Sequence, residues 1–274
     1  MTGQWQRRVE IFISTDIEGT AGIAHWDEAE RSHADYEEFR DLMTGEVLAA
    51  CEGALAAGAT EVVIKDAHDS GQNLALNRLP ENVKIMRGWS GHPDAMMFGI
   101  DPSFAAAIYT DYHSKAVFQA NPLAHSTNLR ISRLILNGEV ASEFTMNSLT
   151  AARHTVSSVF LSGDAEMCRH AVALVPGIHT VATLEGFGRA SLSISPARAR
   201  QAIRDGVEKA LKTASSHRTP AAGGPFEISL EFVTPSDAWR SSFYPGAYLN
   251  SPRAVGFKGD TIFEIQRALR FLTQ

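Results

Sequence analysis

The chain has 274 residues, 44% hydrophobic and 20% charged, the balance of a soluble globular protein with room for one large or two modest domains. A formal net charge of -6 offers no basic surface for phosphates, which sets aside nucleic acid and anionic membranes as main partners and favours a small molecule or peptide. The two cysteines, Cys51 and Cys168, sit far apart in helical patterns and form no disulfide framework, and the N-terminal stretch fits neither a signal peptide nor a membrane span, so a cytoplasmic location is expected.

The run VEIFIST reads as the first strand, followed by helical spacing from about Asp35 to Ala57 and a second strand from Thr60 to Lys65, with Gly58 placed as a helix C-cap between them. The segment AAAIYTDYH is a third strand. Continuous apolar character in these runs implies strands covered on both faces, hence a parallel or mixed sheet with flanking helices. ISRLILNGEV reads as a hairpin turning at Asn137-Gly138, and a helix from about Ser142 to Arg153 follows, with Ser142 as its N-cap. SSVFLSGD is a strand, AEMCRHAVALV a helix and HTVATLE a strand; a helix over Ser195 to Ser215 is introduced by Pro196. SSHRTPAAGGP is the most linker-like stretch, and beyond it FEISLEFV is a strand and GDTIFEIQRALRFL a helix. The expected fold class is α/β with a smaller α+β domain after it, divided as residues 1–190 and 191–274.

Chemistry collects at the strand ends. Residues two apart on a strand face the same side, so Asp16 and Glu18 present two carboxylates into one space and need a countercharge, either a cation such as Lys65 or a metal. The second strand ends near His68 and the third near His113. In open α/β sheets that edge binds ligands, so these four residues can meet there. Glu143 at its helix start adds a carboxylate, and His125 lies in the connection after the third strand. Carboxylate and imidazole together suit Zn²⁺ or a similar divalent ion, the absence of cysteine argues against a closed structural site, and the donors suffice for two ions. Ser14 and Asp66 could orient ligands or bond to backbone, Lys65 could neutralise carboxylates or face solvent, and Trp89, His92 and Phe98 could line a substrate pocket or belong to the core.

In order along the chain, STDIEG, VIKDAH, YTDYHS, LAHS and NGEVASE, with LEGFGRASLSISPARA and YPGAYLNSPRAVGFKGDTIFEIQRAL further on, resemble the zinc D-aminopeptidase (DppA-type) metallopeptidase family over nearly the whole chain. The resemblance implies two zinc ions per subunit. Asp16 would bridge them, Glu18 and His68 would complete one, His113 and Glu143 the other, and His125 matches the catalytic histidine. It also implies release of an N-terminal D-amino acid from short peptides and a homo-oligomer of large, ring-like form. The chain departs from the family where Asp111-Tyr112-His113-Ser114 replaces the usual Gly-Tyr-His-Ala, and in SKAVFQANPLA before His125. Those departures prompt a rival, an amidase for a non-peptide small-molecule amide. A rival of another class is a non-catalytic metal or peptide-binding protein.

Overall fold

The computed structural model describes residues 9–213 and 223–274. Strands β1 (Glu10–Thr15), β2 (Glu61–Asp66), β3 (Val83–Met86), β4 (Phe104–Tyr112), β7 (Ser157–Asp164), β8 (His179–Phe187) and β9 (Ala190–Ser193) form one sheet in the order β3-β2-β1-β4-β7-β8-β9. All its pairings are parallel except β8 with β9. β2 and β4 flank β1, so the chain leaves β1 to one side and returns on the other. That reversal opens a crevice at the carboxyl ends of these strands.

Helices cover both faces. α1 (Tyr36–Ala56) packs with α4 (Pro196–Lys212) on one face, where Met43, Val47 and Ala54 share a core with Ile203, Val207 and Ala210. α2 (Glu143–Arg153) and α3 (Ala165–Leu174) contribute Phe144, Met167 and Ala171 to the core of the other face. Strands so enclosed need no polar alternation, and β1 is buried from Ile11 to Thr15. Among the described residues no helix is long and apolar enough to cross a membrane.

The second sheet is antiparallel, in the order β11-β12-β10-β5-β6, from β5 (Ile131–Leu136), β6 (Glu139–Val140), β10 (Gly223–Phe232), β11 (Tyr248–Ser251) and β12 (Ala254–Thr261). α5 (Pro235–Ser241) and α6 (Ile262–Leu272) complete this region, with Ile265, Ala268 and Leu272 packed against Ile228, Leu230 and Phe257. The sheets therefore do not partition at residue 190. The β5–β6 hairpin pairs with β10 because its ladder matches Leu134 to Leu230 and Leu136 to Ile228, while the buried stripe Ala199, Ile203, Val207 and Ala210 fastens α4 to the first sheet. Most of the expected linker lies outside the described residues, and its last three residues, Gly223 to Pro225, open β10.

Candidate metal centre

Ladder register aligns the three strand ends: Thr15 lies opposite Asp66 on one side and Thr110 on the other. Asp16 and Glu18 follow β1, His68 follows β2 and His113 follows β4, so one edge collects all four. The turn after Glu18 presses on β4. Gly19 donates its N–H to the Asp111 carbonyl at 2.7 Å, and a Cβ at Gly19 would fall 2.3 Å from the Tyr112 carbonyl oxygen, so only glycine fits there. Glu143 arrives from the second sheet's side as the first residue of α2, whose N-cap Ser142 accepts from the Thr145 N–H.

The side chains converge as two triads sharing one residue. Asp16, Glu18 and His68 form one and Asp16, His113 and Glu143 the other, each with ligand atoms within 4.8 Å of one another. The shared carboxylate presents a different oxygen to each: Oδ1 lies 3.3 Å from His68 Nδ1, and Oδ2 lies 3.6 Å from His113 Nε2. His68 Nδ1 is also 3.2 Å from Glu18 Oε1, and His113 Nε2 is 3.7 Å from Glu143 Oε2. The opposite ring nitrogens bond to backbone, His68 Nε2 to the Ala29 carbonyl at 2.9 Å and His113 Nδ1 to the Ser114 carbonyl at 2.9 Å. Each imidazole is thereby turned with one nitrogen toward the carboxylates.

Electrostatics mark the cluster as built for cations. Burial, with Glu18 close by, raises the Asp16 carboxyl well above its ordinary range. Burial acts against ionising Glu18 and Glu143 too, but His68 for one and His113 for the other pull them below it. Burial also opposes charge on His68 and His113, yet the surrounding carboxylates hold both well above the usual imidazole value. The raised Asp16 carboxyl and the raised imidazoles both reflect a site that favours added positive charge. Glu18 Oε2 and His113 Nε2 have no hydrogen-bond partner among the described residues, and three carboxylates with two imidazoles are a donor set suited to zinc, so the residues fit such an ion.

His125 stands beside the triads. Its ring stacks on His113 with centroids 4.2 Å apart and meets the edge of Trp26 at 5.4 Å, while Nδ1 bonds to the Leu123 carbonyl at 3.0 Å. That leaves Nε2 facing Glu143 Oε1 at 3.8 Å. Burial and the neighbouring His113 lower its pKa, keeping it neutral near pH 7. It also groups with Glu18 and His113 in a third set of ligand atoms.

Asp16, Glu18, His68, His125 and Glu143 face a cavity of about 460 Å³ between the two sheets, lined also by Trp26, Trp89, Met96 and Asn147 and, from α6, by Gln266 and Arg270.

Residues 9–271 match the family model described as D-aminopeptidase. The chain belongs to the D-aminopeptidase family. A D-aminopeptidase of Bacillus subtilis (strain 168) is 24% identical over 268 residues, covering 97% of each chain. A solved structure of the Zn-dependent D-aminopeptidase DppA from Bacillus subtilis, described as a self-compartmentalizing protease, superposes with a TM-score of 0.91 at 24% identity and 97% coverage of both chains, so the α/β fold is shared.

The positions that depart from the family pattern turn away from the cavity. Asp111 sits at φ +63°, a left-handed conformation that glycine adopts freely and aspartate tolerates, and its fully buried carboxyl meets Glu46. Burial and mutual repulsion raise Asp111 well above the carboxylate range, and burial raises Glu46. Neither Asp111 carboxyl oxygen has a hydrogen-bond partner among the described residues, so burial favours the protonated carboxyl there. Ser114 donates its N–H to Asp164 at 2.6 Å, and none of residues 114–124 lines the cavity.

Of the other residues singled out by sequence, Asp66 braces the loop after β2, accepting from Asn73 and Leu74, while Asn73 Nδ2 reaches the His68 carbonyl at 2.8 Å. Ser14 bonds to the Tyr112 hydroxyl at 2.8 Å and the Met96 carbonyl at 2.9 Å. Lys65 neither neutralises the carboxylates nor faces solvent: it is fully buried, donates to the Asp66 carbonyl and lies 4.3 Å over Trp89, with burial lowering its pKa to about 8. Trp89 lines the cavity, whereas His92 packs on Phe98 and Phe263 outside it. Sequence reading missed Trp26, Gln266 and Arg270; the only signal for the last two was a polar pair one helical turn apart on an amphipathic helix.

Proposed function

We propose that this chain is a dinuclear zinc aminopeptidase that releases N-terminal D-residues from short peptides. The observation that carries the reading is the shared Asp16, whose two oxygens face two separate imidazole–carboxylate sets. Glu18 and His68 would hold one ion with it, and His113 and Glu143 the other. Zinc bound there would supply Lewis acidity at the scissile carbonyl and a nucleophile at neutral pH.

The protein's own part is proton management and shape. Both triads are complete without His125, so its Nε2 is assigned to carry the proton toward the departing amine, a transfer suited to an imidazole that is neutral near pH 7. Trp26 and His113 hold that ring edge-on and face-on. The Thr127 N–H donates to Glu143 Oε1 at 2.6 Å and fixes the carboxylate that faces it.

The rival amidase was prompted by Asp111 and the altered loop, and neither lines the cavity. A pure binding protein gives no role to an imidazole that stands outside both triads. Assembly into a homo-oligomer is favoured by the exposed aromatics of α5, the turn after it and α6: Trp239, Phe243 and Phe271 are 60%, 69% and 56% exposed. The test measures zinc per chain together with hydrolysis of D- and L-aminoacyl peptides and simple amides, before and after chelation. Two zinc ions and chelator-sensitive cleavage of D-peptides are expected; full activity in metal-free protein would sink the reading. His125→Ala should retain zinc and lose about 10²–10⁴-fold in kcat.

A further inference from the structure

The cavity is electrically lopsided. On the side of the first sheet it is lined by acids: beyond the metal-facing carboxylates, Glu30 and Asp69 stand exposed to it in the loops after β1 and β2. The opposite wall is one face of α6 and its end, with Gln266, Leu269, Arg270 and Thr273 at helical spacing. Arg270 is the one lysine or arginine among the described lining residues. Its Nε is buried and has no hydrogen-bond partner among the described residues.

That donor has no evident role in holding the fold. A guanidinium carries five N–H groups in a planar fork, and leaving one buried and unsatisfied is unfavourable unless a ligand completes it. The wall around it is firmly placed: Asn128 Nδ2 donates to the Thr273 carbonyl at 3.0 Å, Arg130 bonds to the same oxygen, and Arg240 holds the Gln274 oxygen. Gln266 directs its Nε2 to Thr150 and the Met146 carbonyl, which leaves its buried Oε1 without a donor one turn from Arg270. The α6 wall thus brings one guanidinium, the complement of a carboxylate, to a cavity whose other side is lined by acids.

We propose that Arg270 binds the C-terminal carboxylate of the substrate, so that the enzyme selects short peptides with a free carboxyl end. This rests on the aminopeptidase reading above and names the feature that limits substrate length. A zwitterionic peptide would lie with its ammonium toward the acidic wall and its carboxylate on the planar fork, for which a bidentate pairing is the favoured geometry.

The experiment compares kcat/KM of the zinc-loaded full chain for D-Ala-Gly and for its C-terminal amide. Wild type should favour the free acid by about tenfold or more, mostly through KM, the scale of one charge-assisted hydrogen bond. Arg270→Gln should bring the ratio to near one, and Arg270→Lys should restore part of it, with zinc content and circular dichroism confirming that both variants fold. A wild-type ratio near one, or a preference that survives in Arg270→Gln, overturns the assignment while leaving the aminopeptidase reading standing. Cleavage of neither substrate overturns both.

Discussion

Asp16, Glu18 and Glu143 bring three buried carboxylates against two imidazoles, whereas Glu46 and Asp111, just behind them, bring two together with none. Both clusters face the same problem, since charge confined in a region of low polarisability is unstable unless something positive shares the space. In the first, each carboxylate has an imidazole nearby, and both imidazoles turn one nitrogen toward the carboxylates by tying the other to a carbonyl. In the second no imidazole is at hand, and burial raises both carboxyls and so favours their neutral forms. Access to the cavity and available imidazole nitrogens make one acid cluster a candidate metal centre and leave the other part of the protein's interior.

The contrast breaks most sharply at the shared carboxylate. Asp16→Ala removes an oxygen from both triads, so zinc content should fall for both ions and turnover should drop by at least about 100-fold, the upper cost of disturbing even an outer partner of a metal ligand. Metal analysis showing one ion fully retained would mean that the triads are independent.

A second effect follows from the raised pKa values of His68 and His113. Protons and zinc compete for their free nitrogens, so apparent zinc affinity should fall as pH is lowered, beginning above the ordinary imidazole value of about 6.5. Zinc binding near neutral pH should release protons, and a chelator competition series across that range measures both; affinity independent of pH would contradict it.

The smallest effect belongs to the buried pair Glu46 and Asp111. A carboxyl with a raised folded pKa contributes stability that is present below its unfolded value, about 3.9 for aspartate, and is lost as pH rises toward the folded one. Asp111→Asn keeps the shape and escapes that loss. Its melting temperature relative to wild type should climb with pH, by ~2–4 °C for each kcal/mol in a chain of this size, with zinc content unchanged. A difference that shrinks with rising pH would show that the pair is ionised and paired elsewhere.

What could be read from sequence follows the same division. Asp16, Glu18, His68 and His113 stand just after parallel strands, where alternation and the carboxyl-edge rule act over a few residues, Glu143 opens a helix, and the structure brings all of them together with His125. The fate of the β5–β6 hairpin was not legible, because its partner β10 is some 90 residues away and both hairpin strands would satisfy either sheet. Lys65 was misjudged because a lysine at a strand end usually reaches water, and nothing nearby in sequence announces that Trp89 will cover it. Asp111 looked like a change at the site, yet its left-handed backbone carries the side chain toward Glu46 on α1.

The sharing of ligands among β1, β2, β4 and α2 also governs when the centre can exist during folding. The ladder between β1 and β4 joins Glu10 to Phe104, so the first strand must wait for a distant partner, and such non-local closure is slow relative to helix formation. Glu143 then depends on α2 docking, and its loop is tied through Asn128 to the end of α6. An incompletely folded chain therefore holds at most scattered donors. High-affinity zinc uptake should report on the late, cooperative stages of assembly, when the last helix closes over the strand ends.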